Sequence, residues 1–158
     1  MEGRKLINIL HLLERLKDTP RHSFSSLGRS ESVAEHSWRA ALMAYFLKDE
    51  FPEADIDKVI LMCLVHDFGE AFTGDIPAFD KTCADEALED ELLYSWLTSL
   101  PVPYAAELTA LCHEMSERRT LEARIYKAVD SLEAVIQHNE APISSWSDIE
   151  YELNLTYG

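Results

Sequence analysis

Apolar residues recur at every third or fourth position along almost the whole chain, and nowhere do they alternate in the two-residue period of a half-buried strand. That spacing confines the fold to packed helices. Leu6, Ile9, Leu10, Leu13 and Leu16 form a first stripe, which the Thr19-Pro20 step ends. The Ser- and Arg-rich stretch from Arg21 to Glu31 reads as a loop. Ser32-Val33-Ala34-Glu35 has the spacing of a capping box, so a second helix starts there and carries Ala40, Met43, Ala44 and Leu47 to about Glu50.

A third helix begins near Asp55. Its Val59-Ile60-Leu61-Met62-Cys63-Leu64-Val65 run is apolar nearly all round, which predicts the most buried helix, stopping around Gly69. Leu88, Leu92, Leu93, Trp96 and Leu97 mark a fourth, and Tyr104 to Met115 a fifth behind Pro101 and Pro103. Thr120 caps a sixth with Ile125, Val129, Leu132 and Ile136 as its buried stripe. Ser147 and Glu150 have the spacing to open a short last helix. No repeat, low-complexity tract or linker interrupts the pattern. The expectation is an all-α fold, one compact bundle of about six to seven helices over residues 1–158.

Composition narrows the function. At 47% hydrophobic the chain is too apolar for disorder, yet no apolar run approaches the roughly 20 residues that span a bilayer. Met1-Glu2-Gly3-Arg4-Lys5 leads into a polar-interrupted segment unlike a secretory signal. Cys63, Cys83 and Cys112 are odd in number and form no CxxC pair, so free, buried thiols in a reducing, cytoplasmic setting are expected. The Trp and Met residues read most simply as core. Fourteen Lys and Arg against 29 Asp and Glu leave a net charge of −15, which repels phosphate polymers and argues against nucleic-acid binding. A small anion binds such a surface only at a local positive centre.

The histidines and carboxylates are the informative residues for finding one. His36 falls in line with Ala40, Met43, Ala44 and Leu47, facing inward. His66 ends the buried third helix, Asp67 follows it, and Glu70 sits one turn on. Asp130 interrupts the sixth helix on the flank of its apolar stripe. A lone inward His is usually a hydrogen-bonded core residue, and Asp67 and Asp130 each have a plain reading as boundary polar groups. Taken together, two imidazoles and two carboxylates on three core helices suit a borderline divalent ion such as Mn, Fe, Co, Ni or Zn. Adjacent helical residues point about 100° apart, so His66 and Asp67 share an ion only at a helix terminus, where Gly69 puts them. Glu35 is accounted for by its cap, His113-Glu114 by a helix-end polar pair, and His11 and His138 as surface or boundary residues.

His36, then His66-Asp67, then Asp130 resembles the H…HD…D signature of the HD-domain metal-dependent phosphohydrolases. The surrounding phrases are more specific: Glu31-Ser32-Val33-Ala34-Glu35-His36-Ser37, His66-Asp67-Phe68-Gly69-Glu70, Thr73-Gly74-Asp75-Ile76-Pro77 and Lys127-Ala128-Val129-Asp130. They are similar to the branch that contains the bacterial 5′-deoxynucleotidases, over roughly Leu6 to Asn139. The resemblance implies a helical, dimeric HD domain holding one divalent ion through His36, His66, Asp67 and Asp130. It implies hydrolysis of nucleoside 5′-monophosphates, with Glu70 as catalytic carboxylate, Asp75 near the attacking water or sugar, and Arg21 on the phosphate. Where that branch has a Trp after the arginine, associated with choosing deoxyribose, this chain has His22, so weak sugar discrimination or another small phosphate ester is expected. Relatives commonly continue for about another helix past a point like Gly158, so the domain reads as short at its C-terminus. Two other readings stay open here: a phosphodiesterase or pyrophosphohydrolase of a nucleotide signal, and a non-catalytic helical binding module stabilised by metal.

Overall fold

The computed structural model describes residues 1–155. Helix α1 (Gly3–Leu13) runs into a 3-10 turn at Glu14–Lys17, and the chain then forms a two-stranded antiparallel hairpin, β1 (Pro20–Phe24) with β2 (Ser30–Ser32). This hairpin replaces the loop expected over Arg21–Glu31. Its strands carry only one large apolar residue, Phe24, so no alternation announced them. Ser25 and Gly28 close its turn, the Gly28 N–H donating to the Ser25 carbonyl at 2.8 Å, and Gly28 takes the φ of 80° that favours glycine.

Helix α2 (Val33–Phe46) starts on the expected capping box: the Ser32 hydroxyl accepts from the Glu35 N–H, and the Glu35 carboxylate accepts from the Ser32 N–H. It gives way to a 3-10 turn at Lys48–Glu50. Helix α3 (Ile56–Val65) is capped by Asp55, which accepts from the Lys58 N–H at 3.1 Å. The helix ends earlier than Gly69, because His66–Gly69 are already a turn leading into the single-turn α4 (Glu70–Thr73). Gly69 is there for space: a Cβ would lie 2.6 Å from Glu89 Cγ. The bundle continues with α5 (Cys83–Ser99), α6 (Val102–Glu117), α7 (Leu121–Glu140) and α8 (Asp148–Leu153).

Helix α3 is the centre. It packs on α2 and α7, which also touch one another, while α5 and α6 pair and close the remaining side. Val59, Met62 and Cys63 are wholly buried among Ala40, Ala44, Leu97, Ala123 and Val129. Each such large side chain contributes about 1.5–3 kcal/mol of transfer free energy.

Several stripe assignments are corrected. Leu6 and Leu10 on α1, Leu88 on α5 and Leu132 on α7 are exposed, as are Trp38 and Cys83. On α7 the inward face holds Ile125, Tyr126, Val129, Glu133 and Gln137. Two polar residues take the places that periodicity gave to Leu132 and Ile136, because they serve the site. The single-domain reading over 1–158 extends to residues 156–158, outside the described residues. Among those described, no helix is long and apolar enough to cross a membrane.

Candidate metal centre and substrate cleft

Three helices bring the predicted cluster together. His36 lies one turn into α2 and is wholly buried, His66 and Asp67 sit where α3 has just ended, and Asp130 comes from the middle of α7. Nitrogen and oxygen donors of His36, His66 and Asp67 all lie within 4.8 Å of one another. Asp130 joins from the side: its Oδ1 is 3.0 Å from His36 Nε2 and 3.4 Å from His66 Nε2. The end of α3 permits what a continuous helix forbids, since His66 Nε2 and Asp67 Oδ2 come within 2.9 Å.

Hydrogen bonding on the far side of each ring fixes which nitrogen faces the cluster. His66 Nδ1–H donates to the Cys63 carbonyl at 2.9 Å, and His36 Nδ1–H donates to the Glu133 carboxylate. In these tautomers both Nε2 atoms present lone pairs to carboxylate oxygens. His66 Nε2 and Asp67 Oδ2 are buried without a hydrogen-bond partner. Acceptors gathered against acceptors in a buried site call for positive charge, supplied either by protons or by a cation. With protons alone, the carboxylates outweigh burial and raise both imidazoles, His66 well above the usual histidine range. Burial likewise disfavours the charge on Asp130, yet its bonds with His36 and His66 hold it far below the usual carboxylate range. Two nitrogen and two oxygen donors, each histidine anchored from behind, fit a divalent transition ion.

Beside this cluster opens a cleft of about 410 Å³. Arg21 of β1 reaches its inner end, with Nη1 3.6 Å from Asp67 Oδ2 and Nε 3.5 Å from Glu31 Oε2. Burial works against the guanidinium charge, but Asp67, Asp75, Glu31 and Glu70 more than restore it. Glu70, on the first turn of α4, is buried, and its Oε2 has no hydrogen-bond partner. Burial, then repulsion from Asp67 and Asp75, pushes its carboxyl up to about 9 against the pull of Arg21. Asp75 lines the same cleft from the loop after α4. Two lysines also line it, each already paired: Lys81 with Glu89 at 2.8 Å and Lys127 with Asp130 at 2.6 Å.

His22 stands at the cleft wall beside Arg21. Arg21, His22 and Ser23 all line the cleft, in the stretch of β1 where the register with β2 is irregular. The His22 ring meets Phe79 edge-on at 5.6 Å and its Nε2 lies 3.0 Å from Glu150 Oε1 on α8.

Of the residues expected at the site, Arg21, His22, Asp67, Glu70, Asp75 and Asp130 line this cleft, and His36 and His66 lie against Asp130 behind it. His113 and Glu114 are elsewhere, stacked on Tyr94 and paired with Lys58, as helix-end polar groups are. His138 is a boundary residue, half-buried: it lines the cleft, packs on Trp146 and has its Nε2 3.6 Å from Glu150 Oε1. Sequence reasoning missed the support behind the cluster. Glu133 holds His36, Arg39 reaches both Glu133 and Gln137, and Glu31 is buried against Arg21 with its carboxyl pushed up to about 7 by burial and Glu133. Glu133 lies three positions past Asp130, and that spacing was the available signal.

A sequence model of the HD domain matches residues 13–158. The human 5′-deoxynucleotidase HDDC2 is 31% identical over 154 residues, covering 95% of this chain and 72% of the human protein. Among solved structures, a predicted metal-dependent phosphohydrolase from Magnetospirillum magnetotacticum superposes with a TM-score of 0.78 at 31% identity, over 87% of this chain and 70% of that one. The cyanophage S-2L HD phosphohydrolase shares the fold at 23% identity and a TM-score of 0.59, over 98% of this chain and 79% of that one.

Proposed function

The chain belongs to the HD domain family and is a metal-dependent nucleotide phosphohydrolase; from that premise we propose that it hydrolyses nucleoside 5′-monophosphates to nucleoside and phosphate. One observation carries the reading: a buried arginine, Arg21, stands against the Asp67 end of the imidazole–carboxylate cluster, in the same cleft as Glu70. One divalent ion, of the Mn, Co, Fe, Ni or Zn kind, is assigned to His36, His66, Asp67 and Asp130; when bound, it lowers the pKa of its water and polarises a phosphoryl oxygen.

The chain's own residues do the rest. Arg21 binds the phosphate through its planar fork and, already ordered by Glu31 and Asp67, gives up little side-chain freedom in doing so. Glu70 handles the proton of the attacking water. Burial first, then its negative neighbours, hold its carboxyl high, and positive charge at Asp67 lowers it toward pH 7, where proton transfer is most efficient. Asp75, in the loop after α4, orients water or sugar at the cleft mouth.

The alternatives gain less support. A phosphodiesterase or pyrophosphohydrolase of charged nucleotide signals needs free cations along a longer anion, and here Lys81 and Lys127 are already paired. A binding module stabilised by metal needs neither Arg21 nor Glu70 in the cleft. The family resemblance also supports a homodimer, for which α1 exposes Leu6, Ile7 and Leu10, and the free thiols favour the cytoplasm. The test is phosphate release from nucleoside mono-, di- and cyclic phosphates across several metals. Release from 5′-monophosphates alone is the expected result, and none from any of them overturns the reading.

A further inference from the structure

The α8 helix was legible in the sequence only as a short capped segment, yet its Glu150 does two things at once. Oε2 closes the helix cap, accepting from the Ser147 N–H at 2.5 Å and the Ser147 hydroxyl at 2.6 Å. Oε1 turns into the cleft, 3.0 Å from His22 Nε2 and 3.6 Å from His138 Nε2. The carboxylate is 7% exposed and held below the usual range, against burial, by its bonds to Ser147 and by the two imidazoles. It is a charged acceptor at neutral pH.

From this geometry we propose that Glu150 is a positioning residue for substrate recognition: it holds His22 as the Nε2–H tautomer, so that Nδ1 offers a hydrogen-bond acceptor to a sugar hydroxyl of the nucleotide. An acidic acceptor on one ring nitrogen puts the proton there and leaves the lone pair on the other. No hydrogen bond among the described residues uses Nδ1, and the ring keeps 42% of its surface exposed at the cleft wall. The ring belongs to the residue after Arg21. Both residues line the one cleft. Phe79 meets the ring edge-on and limits its rotation, so the acceptor is pre-aimed. This assignment rests on the phosphate reading of Arg21 given above.

Glu150→Gln is the informative change. One amide oxygen still closes the cap on Ser147, since Gln serves at this position of a capping box. The amide N–H₂ then faces His22 and donates to it, reversing the tautomer. Against ribonucleoside, 2′-deoxy and 3′-deoxy 5′-monophosphates, the wild type is expected to show KM values about tenfold lower than the variant for substrates bearing the contacted hydroxyl, with kcat changed little. That penalty disappears for the one deoxy series lacking it, and it disappears for all substrates in a His22→Ala background. Nitrogen-15 spectra of the His22 ring, protonated at Nε2 in the wild type and at Nδ1 in the variant, give a readout independent of turnover. Ser147→Ala, which weakens the cap alone, should leave the sugar pattern unchanged. An equal Glu150→Gln penalty on all three series, or one that persists without His22, overturns the proposal. A wild type inactive on every 5′-monophosphate instead overturns the reading beneath it.

Discussion

His36 Nδ1 donates to the carboxylate of Glu133, a contact between residues 97 positions apart that joins the first turn of α2 to the middle of α7. Both groups are essentially solvent-free, and Arg39 braces Glu133 from its other oxygen. The bond fixes the ring so that Nε2 faces Asp130 and the cluster. Replacing Glu133 with Gln keeps the volume and removes the charge behind the ring. Metal affinity should fall about 10- to 100-fold, as is usual when the partner of a ligating histidine is changed. Competition against a chelator of known strength measures this, and unchanged affinity would show that Glu133 is only structural.

Asp130 tests the cluster itself. Asp130→Ala removes the carboxylate shared by His36 and His66 and frees Lys127, placing a positive charge nearer both imidazoles. Metal uptake should drop sharply while helical circular dichroism persists, because Ala is the better helix former. Full metal occupancy in this variant, measured by elemental analysis, would remove Asp130 from the ligand set.

These two residues mark where the sequence stopped being readable. The capping boxes at Ser32 and Ser147, the Thr120 cap and the central α3, starting near Asp55, were legible because their signals are local. His36, His66, Asp67 and Asp130 were legible as a set because buried ionisable groups need partners. Glu133, Glu31 and the His22–Glu150 bond were not, since each draws its meaning from a contact made across the fold. The polar β1–β2 hairpin lacked any periodicity to announce it, and the first apolar stripe reads as a buried face although only Leu16, past the end of α1, is buried.

Glu70→Gln separates chemistry from metal holding. The side chain is buried beside the cluster yet contributes no donor atom to the His36–His66–Asp67 group. Activity should fall by about two orders of magnitude or more, the range for a general acid–base group, with metal content unchanged. Loss of metal would move Glu70 among the ligands.

Glu31 gives a pH dependence of stability. Its carboxyl rises from 4.5 to about 7 on folding, through burial and the nearby Glu133. Between those values the folded protein binds the proton that the unfolded chain releases, so stability from this group is present at low pH and lost as pH climbs through about 7. In the metal-free protein, the melting temperature of Glu31→Gln should therefore gain on the wild type between pH 5 and pH 8. A gap that stays constant with pH would mean that Glu31 is charged throughout.

Arg21 carries the last test, because its two expected effects run in opposite directions. As the phosphate anchor, it contributes to substrate binding, so Arg21→Ala should raise KM strongly with a smaller loss in kcat. Lys should restore only part, since a point charge cannot match a planar fork seated between Glu31 and Asp67. As a cation 3.6 Å from Asp67, however, Arg21 opposes a metal ion bound there. Its removal should leave metal affinity unchanged or tighter, the reverse of Glu133→Gln. Measuring KM and metal affinity on the same variants separates the roles: a guanidinium that merely braced the cluster would, when removed, weaken metal binding and leave KM untouched, and that pair of results would take Arg21 out of the substrate site.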